Sequence, residues 1–509
     1  MIFGKLPRLV ATVAISALVL AGCAPSKPEP IVPYASGAPA GFTEYYEQIV
    51  DFEECGTRLF CADIDVPMDW SDPASEAISI ATVFRLADSE PNGFILFNPG
   101  GPGASGFDWV KDSAEYLGTK DLRSDWNLLG FDPRGVGRSS AVECLSDSEY
   151  DEFLYGVSDY EIATEEDIAA SREATADFAD KCLENTGPLL EFVDTVSAAK
   201  DMDVIRAVVG ESKLNFLGYS YGSFLGTTYA TLFPDRVGRF VLDGAIDPTV
   251  SDDEQTLFQL EAFESALAAF LENCDSYEDC PFSGNVSADL LSVQQLLASI
   301  EQQPLATSSG RELTIWAAVT GLIMTLYSDR YWPELSSAFS EAFSGSGDRL
   351  LFLADFYNDR GEDGTYQTNL IAANYAISCL DNGASPSMFT IEAQNKKLLE
   401  AAPVLGRYWQ FGGLRCGSWP FPEAEKPSDY SAAGAPTILV IGTTGDPATP
   451  YSQAQSLAND ILKDGFLMTY NGEGHTIYGN QVKCIDQVVD RFFLTGELPA
   501  SCLLYTSPS

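Results

Sequence analysis

Histidine is almost absent: the 509-residue chain has one, His475. That scarcity excludes most His-rich metal sites, and any acid/base chemistry near neutral pH that needs an imidazole must use that residue. Basic residues are also few, with 29 Lys plus Arg against 74 Asp plus Glu and a formal net charge of −45. Nucleic acid is therefore not an expected partner, because a basic patch that releases counterions drives such association. The acidic excess reads as a repelling, soluble surface suited to an extracellular setting or high salt, with no catalytic meaning. What the chain has in quantity is core material. It is 45% hydrophobic with 30 Phe and 22 Tyr, too apolar for a disordered acidic tail. Length alone suggests about three domains of roughly 150 residues each.

The apolar run Leu9 to Leu20 falls short of the roughly 20 residues that cross a bilayer. Preceded by Lys5 and Arg8 and followed by Leu20-Ala21-Gly22-Cys23, it reads as a signal peptide over residues 1–22. The small residues before Cys23 resemble a bacterial lipobox, and that resemblance implies a diacylglyceryl group on Cys23 after cleavage behind Gly22. The alternative is an ordinary secretory peptide that leaves Cys23 as an odd thiol. Residues 23–41, rich in Pro, Ser and Ala, read as a flexible tether. The expected location is the outer face of the cell membrane, held by the lipid. Without Cys23, ten of the 11 cysteines remain, an even set that in a secreted chain reads as disulfides. Short-range pairing is the simplest guess: Cys55 with Cys61, Cys144 with Cys182, Cys274 with Cys280, Cys379 with Cys416, and Cys484 with Cys502. Residues 502–509, CLLYTSPS, resemble an appended artefact and are left out of the functional reading.

Short β-type runs alternate with helical patterns after the tether. Ile78 to Arg85, Phe94 to Asn98, Trp126 to Asp132, Leu214 to Gly218 and Val237 to Leu242 are expected strands of a mostly parallel sheet. Asp194-Thr195 is placed to cap a helix running to about Val209. Strand-helix alternation gives an α/β class. The strand pattern then stops and resumes only at Thr437 to Ile441, followed by a helix over Ser452 to Leu462 and a strand over Phe466 to Tyr470. Between them, helical patterning dominates: Thr256 to Phe270, Leu313 to Tyr327, Trp332 to Phe343 and Leu350 to Tyr357. The organisation predicted is a first core part at 42–248, a helical cap at 249–430 and a second core part at 431–501.

Gly218-Tyr219-Ser220-Tyr221-Gly222 stands directly after one expected strand and before an apolar helix. A nucleophile on a sharp strand-to-helix turn needs small residues on both sides, and the helix N-terminus favours negative charge beside it. Ser220 is the candidate nucleophile. A serine hydroxyl needs a base to take its proton, and the one imidazole is His475, in Gly472-Glu473-Gly474-His475-Thr476. The third member should be a carboxylate after a strand, between Ser and His in chain order. Asp446 fits, in Gly445-Asp446-Pro447 after the Thr437 strand; Asp243, after the Val237 strand, is the rival, with loop hydrogen bonding as its plain role. Thr449, before Pro450, is expected to cap the next helix. The loop Asn98-Pro99-Gly100-Gly101-Pro102-Gly103 is the expected oxyanion loop, with the N–H groups of Gly101 and Tyr221 as donors. The charges in Asp132-Pro133-Arg134-Gly135-Val136-Gly137-Arg138-Ser139 are expected to form a structural salt bridge below the site, the alternative being that they face substrate.

Together, PGGPGASG at 99–106, FDPRGVGRS at 131–139, GYSYG at 218–222, GDPATP at 445–450 and GEGHT at 472–476 closely resemble actinobacterial tripeptidyl and prolyl aminopeptidases. The resemblance covers nearly all of the mature chain and implies a serine α/β-hydrolase fold. Prolyl aminopeptidases have His at the position of Pro99, so the likeness is to the tripeptidyl branch, and the lipobox is similar to envelope-anchored mycobacterial relatives. The implied function is a membrane-tethered serine exopeptidase that acts through an acyl-enzyme, without metal or organic cofactor, as a monomer on peptide substrates. An exopeptidase needs a carboxylate for the free α-ammonium; Asp381, in Ala376-Ile377-Ser378-Cys379-Leu380-Asp381, lies in a motif resembling the family's and is the candidate, against a structural role. An esterase or lipase using the same triad is the alternative, and a non-catalytic envelope binding protein the third possibility.

Overall fold

The structure is a computed structural model that describes residues 30–156, 165–383, 388–409, 414–498 and 504–506. Cys23, the signal segment and Cys502 lie outside the described residues. Twelve strands are present among these residues: β1 (Glu53–Gly56), β2 (Leu59–Pro67), β3 (Ala77–Arg85), β4 (Phe94–Asn98), β5 (Asn127–Phe131), β6 (Leu214–Tyr219), β7 (Val237–Asp243), β8 (Leu305–Ala306), β9 (Glu312–Leu313), β10 (Ile438–Gly445), β11 (Gly465–Glu473) and β12 (Leu504–Thr506). Ten form one sheet in the order β1-β2-β3-β5-β4-β6-β7-β10-β11-β12. The pairs from β1 to β5 across β3 are antiparallel, and every pair from β5 through β12 is parallel.

The parallel strands are apolar on both faces because both faces are covered. In β4, Phe94 and Leu96 point into one core and Ile95 and Phe97 into the other; in β10, Ile438 and Val440 oppose Leu439 and Ile441 in the same way. Helices Thr195–Val208 and Tyr221–Leu232 line the first face. Gly106–Ser113, Lys120–Asp125 and Lys483–Thr495 line the second, through Val110, Leu122, Val489 and Phe493. Asp194 caps Thr195–Val208 as its sequence predicts, accepting from Ser197 N–H at 2.8 Å.

Between β7 and β10 the chain runs through helices Asp252–Asn273, Val286–Gln302, Ile315–Leu326, Trp332–Phe343, Asp348–Tyr357, Leu370–Asp381 and Met388–Ala401, with the small β8–β9 hairpin. Ser251 and Glu254 form a capping box at the first. Ile315–Leu326 is apolar all round and accordingly buried in the middle of a separate core with Phe263, Leu267, Phe270 and Leu335. One helix of this stretch departs from that layer: Ala372, Ala376, Ile377 and Leu380 of Leu370–Asp381 pack into the main core against the sheet's helices.

The expected tether is also shorter than its composition suggests. Tyr34 N–H donates to Ala207 O at 2.8 Å, Arg236 donates to Gly37 O, and Ile31, Ala35 and Ala38 pack against the main core. Pro- and Ala-rich sequence reads as linker, but small apolar side chains also seat readily on a helix end. Four disulfides join Cys55 to Cys61, Cys144 to Cys182, Cys274 to Cys280 and Cys379 to Cys416, the pairs expected from spacing. Cys484 has no disulfide among the described residues. Arg134 and Asp201 form a fully buried bidentate pair, 2.7 Å at each contact, with Arg134 also donating to Pro67, Met68 and Phe192 carbonyls. That is the structural ion pair expected for Arg134, with Asp201 as the partner the sequence did not identify. Asp132 accepts from Ser105 and from the N–H groups of Phe107 and Arg138, and its carboxylate also pairs with the Arg138 guanidinium at 3.7 Å.

Candidate active site

β4, β6, β7, β10 and β11 are neighbours running the same way, so the loops at their carboxyl ends converge on one edge of the sheet. Every residue of the expected triad sits at one of those ends.

Ser220 joins β6 to helix Tyr221–Leu232 and has φ +54°, a strained conformation for a residue with a side chain. The flanking glycines make the turn possible: a Cβ on Gly218 would lie 2.2 Å from Gly222 O. Ser220 N–H donates to Asp243 O at 2.9 Å, which ties the turn to the end of β7. Among the described residues Ser220 Oγ has no hydrogen bond; nucleophile-to-base contacts are often open before substrate arrives.

His475 follows β11 and Asp446 follows β10. His475 Nδ1 lies 2.9 and 3.0 Å from the two Asp446 carboxylate oxygens. Asp446 is buried and also accepts from Ala448 N–H, Thr449 N–H and Thr449 Oγ1 at 2.9 to 3.1 Å. An ionised carboxylate only accepts, so Nδ1 carries the hydrogen and Nε2 is left as the free base. Burial opposes charge on His475, but the charge and hydrogen bond of Asp446 outweigh it and hold the imidazole above its ordinary value. Thr449 also lies 3.3 Å from Nδ1. Its hydroxyl is thus used within the acid–imidazole pair, and the next helix, Tyr451–Ser456, has Pro450 at its N-cap; the capping role expected of Thr449 is corrected on that ground.

Gly244 links the two halves of the site. A Cβ built on it would lie 3.1 Å from His475 Cε1, and the preceding residue holds Ser220. Two further contacts hold His475: the Tyr327 carbonyl, just after helix Ile315–Leu326, accepts the main-chain N–H of His475 at 2.8 Å, and the Tyr327 ring stands edge-on to the imidazole, 5.6 Å between centroids. Nothing local in the sequence connects Tyr327 with His475. Glu473 is half-buried beside the same loop, its carboxyl pushed up by burial and by Asp329 and Glu272.

The glycine loop after β4 lies against the Ser220 turn, or elbow. Gly100 has φ +98°, and a Cβ there would lie 2.5 Å from Tyr219 O and 3.3 Å from Tyr221 N. Gly100 N–H is taken by Asn98 Oδ1 at 3.0 Å. Gly101 N–H and Tyr221 N–H have no backbone or side-chain acceptor among the described residues, and Tyr221 is the first residue of its helix, where N–H groups lack an intrahelical partner. Helix Leu370–Asp381 braces the loop from outside, with Asn374 donating to Pro102 O at 3.0 Å. A cleft of about 730 Å³ lies beyond the loop, lined by Gly103, Asp108, Arg138, Tyr366 and Asn369 but not by Ser220 or His475.

Asp381 is not in position to meet a substrate amine. It is 4% exposed, and its two oxygens accept from Thr195 N–H at 3.0 Å and Thr195 Oγ1 at 2.6 Å. Burial pushes its carboxyl up to about 7. Its place is at the N-terminus of Thr195–Val208, where a carboxylate satisfies an orphan N–H; the amine role read from the surrounding motif is replaced by this one.

The sequence of residues 93–480 matches the alpha/beta hydrolase fold family. The chain belongs to that family. Serine protease Hip1 of Mycobacterium tuberculosis is 34% identical to this hydrolase over 455 residues, 87% of this chain and 86% of that protein. Carboxylesterase B of the same organism is 34% identical over 466 residues, covering 90% and 88%. Tripeptidyl aminopeptidase of Streptomyces lividans is 28% identical over 482 residues, covering 90% and 87%. Each of these likenesses spans at least 86% of the relative's own length.

Proposed function

We propose that this serine hydrolase is an exopeptidase that releases short peptides from the N-terminus of peptide substrates through an acyl-enzyme. The observation that carries the proposal is that Ser220, on its strained turn, and His475, held by Asp446, follow strands of one parallel stretch of the sheet at the same edge. Ser220 Oγ attacks the scissile carbonyl while His475 Nε2 takes its proton; Asp446 keeps the tautomer and steadies the imidazolium. The oxyanion is received by Gly101 and Tyr221 N–H, donors worth about 2.7–4 kcal/mol each to the barrier. His475 then protonates the leaving amine, and water completes the cycle by the same route. No step uses a metal or organic cofactor.

The relatives named serine protease and tripeptidyl aminopeptidase support the peptidase class. We further propose that Cys23 carries a lipid and that residues 24–29 join it to the folded body at the outer face of the membrane, the chain acting as a monomer. Labelling with a radiolabelled fatty acid tests this: Cys23→Ala should lose the label and leave the membrane fraction.

The second reading, an esterase, is favoured by one observation, the equal identity to a relative named carboxylesterase. Peptide anilides with free and acetylated N-termini separate the two. The exopeptidase hydrolyses the free-amine form strongly in preference; comparable rates, with faster turnover of simple acyl esters, favour the esterase.

A further inference from the structure

The triad needs one carboxylate, yet two lie close to the imidazole. Asp243 ends β7, between β6 with the nucleophile and β10 with the acid, in register with Tyr219 and Ile441. It is fully buried. Its carbonyl accepts Ser220 N–H at 2.9 Å. Its carboxylate Oδ2 accepts the N–H groups of Ile477 at 2.9 Å and Tyr478 at 2.7 Å, in the loop that carries His475. Its other oxygen, Oδ1, is buried without a hydrogen-bond partner among the described residues.

We propose that Asp243 is a positioning residue for the reaction, its main chain holding the nucleophile turn and its carboxylate holding the histidine loop, so that one residue sets Ser220 against His475. The assignment rests on the Ser220–His475–Asp446 triad proposed above. A neutral acceptor would satisfy two N–H groups, whereas a buried carboxylate with one bare oxygen is costly unless positive charge arises nearby. Such charge arises on His475 each time it takes the serine proton. The titratable groups facing Asp243 fit that use: Asp446 raises its carboxyl, His475 lowers it, and Tyr219 and Tyr478 flank it from β6 and the histidine loop. Burial pushes the Asp243 carboxyl up to about 7, and the nearby His475 opposes that rise.

The test uses the full-length protein, a fluorophosphonate to count active sites, and a short p-nitrophenyl ester that any serine hydrolase turns over. With Asp243→Ala, kcat per titrated site should fall at least about tenfold while KM stays within about twofold. Asp243→Asn keeps an acceptor and should recover most of that loss. Removing the negative charge lowers the imidazole's proton affinity, so the acid limb of kcat/KM for Asp243→Asn should move to lower pH. Wild-type kcat per titrated site in Asp243→Ala, or equal losses in the two variants, would overturn the assignment. Should Asp243→Ala fail to fold, the pH profile of Asp243→Asn decides, and one superimposable on the wild type would overturn it. A wild-type enzyme that is not labelled at Ser220 would instead overturn the triad, and this assignment with it.

Discussion

At the scale of single residues, the site depends on how His475 is held. Asp446 fixes the tautomer by accepting at 2.9 and 3.0 Å, and an amide in its place would present a donor to Nδ1 and favour the wrong tautomer. Asp446→Asn should therefore lower kcat by about 10⁴ while the fold stays intact, which steady-state kinetics beside a far-ultraviolet circular dichroism spectrum can check. The base works only when neutral, and Asp446 raises its proton affinity. Activity should accordingly fall as pH drops through an imidazole pKa above 6.5, and in a pH series of kcat/KM the wild-type acid limb should lie above that value. Ser220 and His475 were legible because a nucleophile motif stood between an apolar strand and helix, and because the chain has one imidazole. Asp381 misled because motif likeness carries no information on burial, and Tyr327 could not be found because its contact is made by a main-chain carbonyl.

Among the elements, the elbow and the oxyanion loop are packed too closely to admit a side chain. Gly100 shows it: a methyl group would stand 2.5 Å from Tyr219 O and 3.0 Å from Ser220 Cβ, on a residue already at φ +98°. Gly100→Ala should displace the loop and lower kcat by about 10² or more, measured per fluorophosphonate-titrated site. The parallel strands were readable as short apolar runs because both faces are buried; Phe94–Asn98 has the expected bounds. The β1–β2 hairpin was missed. β1 reads EECG and is largely exposed, so it has no apolar pattern, and pairing with β2 alone defines it. Helix Leu370–Asp381 was placed with the cap by sequence order, but its Ala-rich face lets it lie close against the main core instead.

For the whole molecule, the acidic excess has a thermodynamic counterpart in buried acids. Burial raises Glu211, Asp243 and Asp381 to about 7 each, and His475 is raised as well. The folded protein thus binds more protons than the unfolded chain between about pH 4 and 7, so stability falls as pH rises through that window. Self-repulsion at a net charge of −45 acts in the same direction. The melting temperature should be higher at pH 5 than at pH 8; scanning calorimetry giving the reverse order would refute this. The mutual placement of core and cap segment was only partly legible, since the helices Ile315–Leu326 and Asp348–Tyr357 showed their periodicity while the contact of Tyr327 with His475 is purely tertiary. The most direct measurement is mass spectrometry of a free-amine peptide library incubated with wild-type protein and with Ser220→Ala. The wild type should release short peptides from N-termini and leave N-acetylated members intact, with a fluorophosphonate adduct on Ser220, while Ser220→Ala does neither. Cleavage that persists in Ser220→Ala, or an adduct on a different serine, would contradict the proposed function.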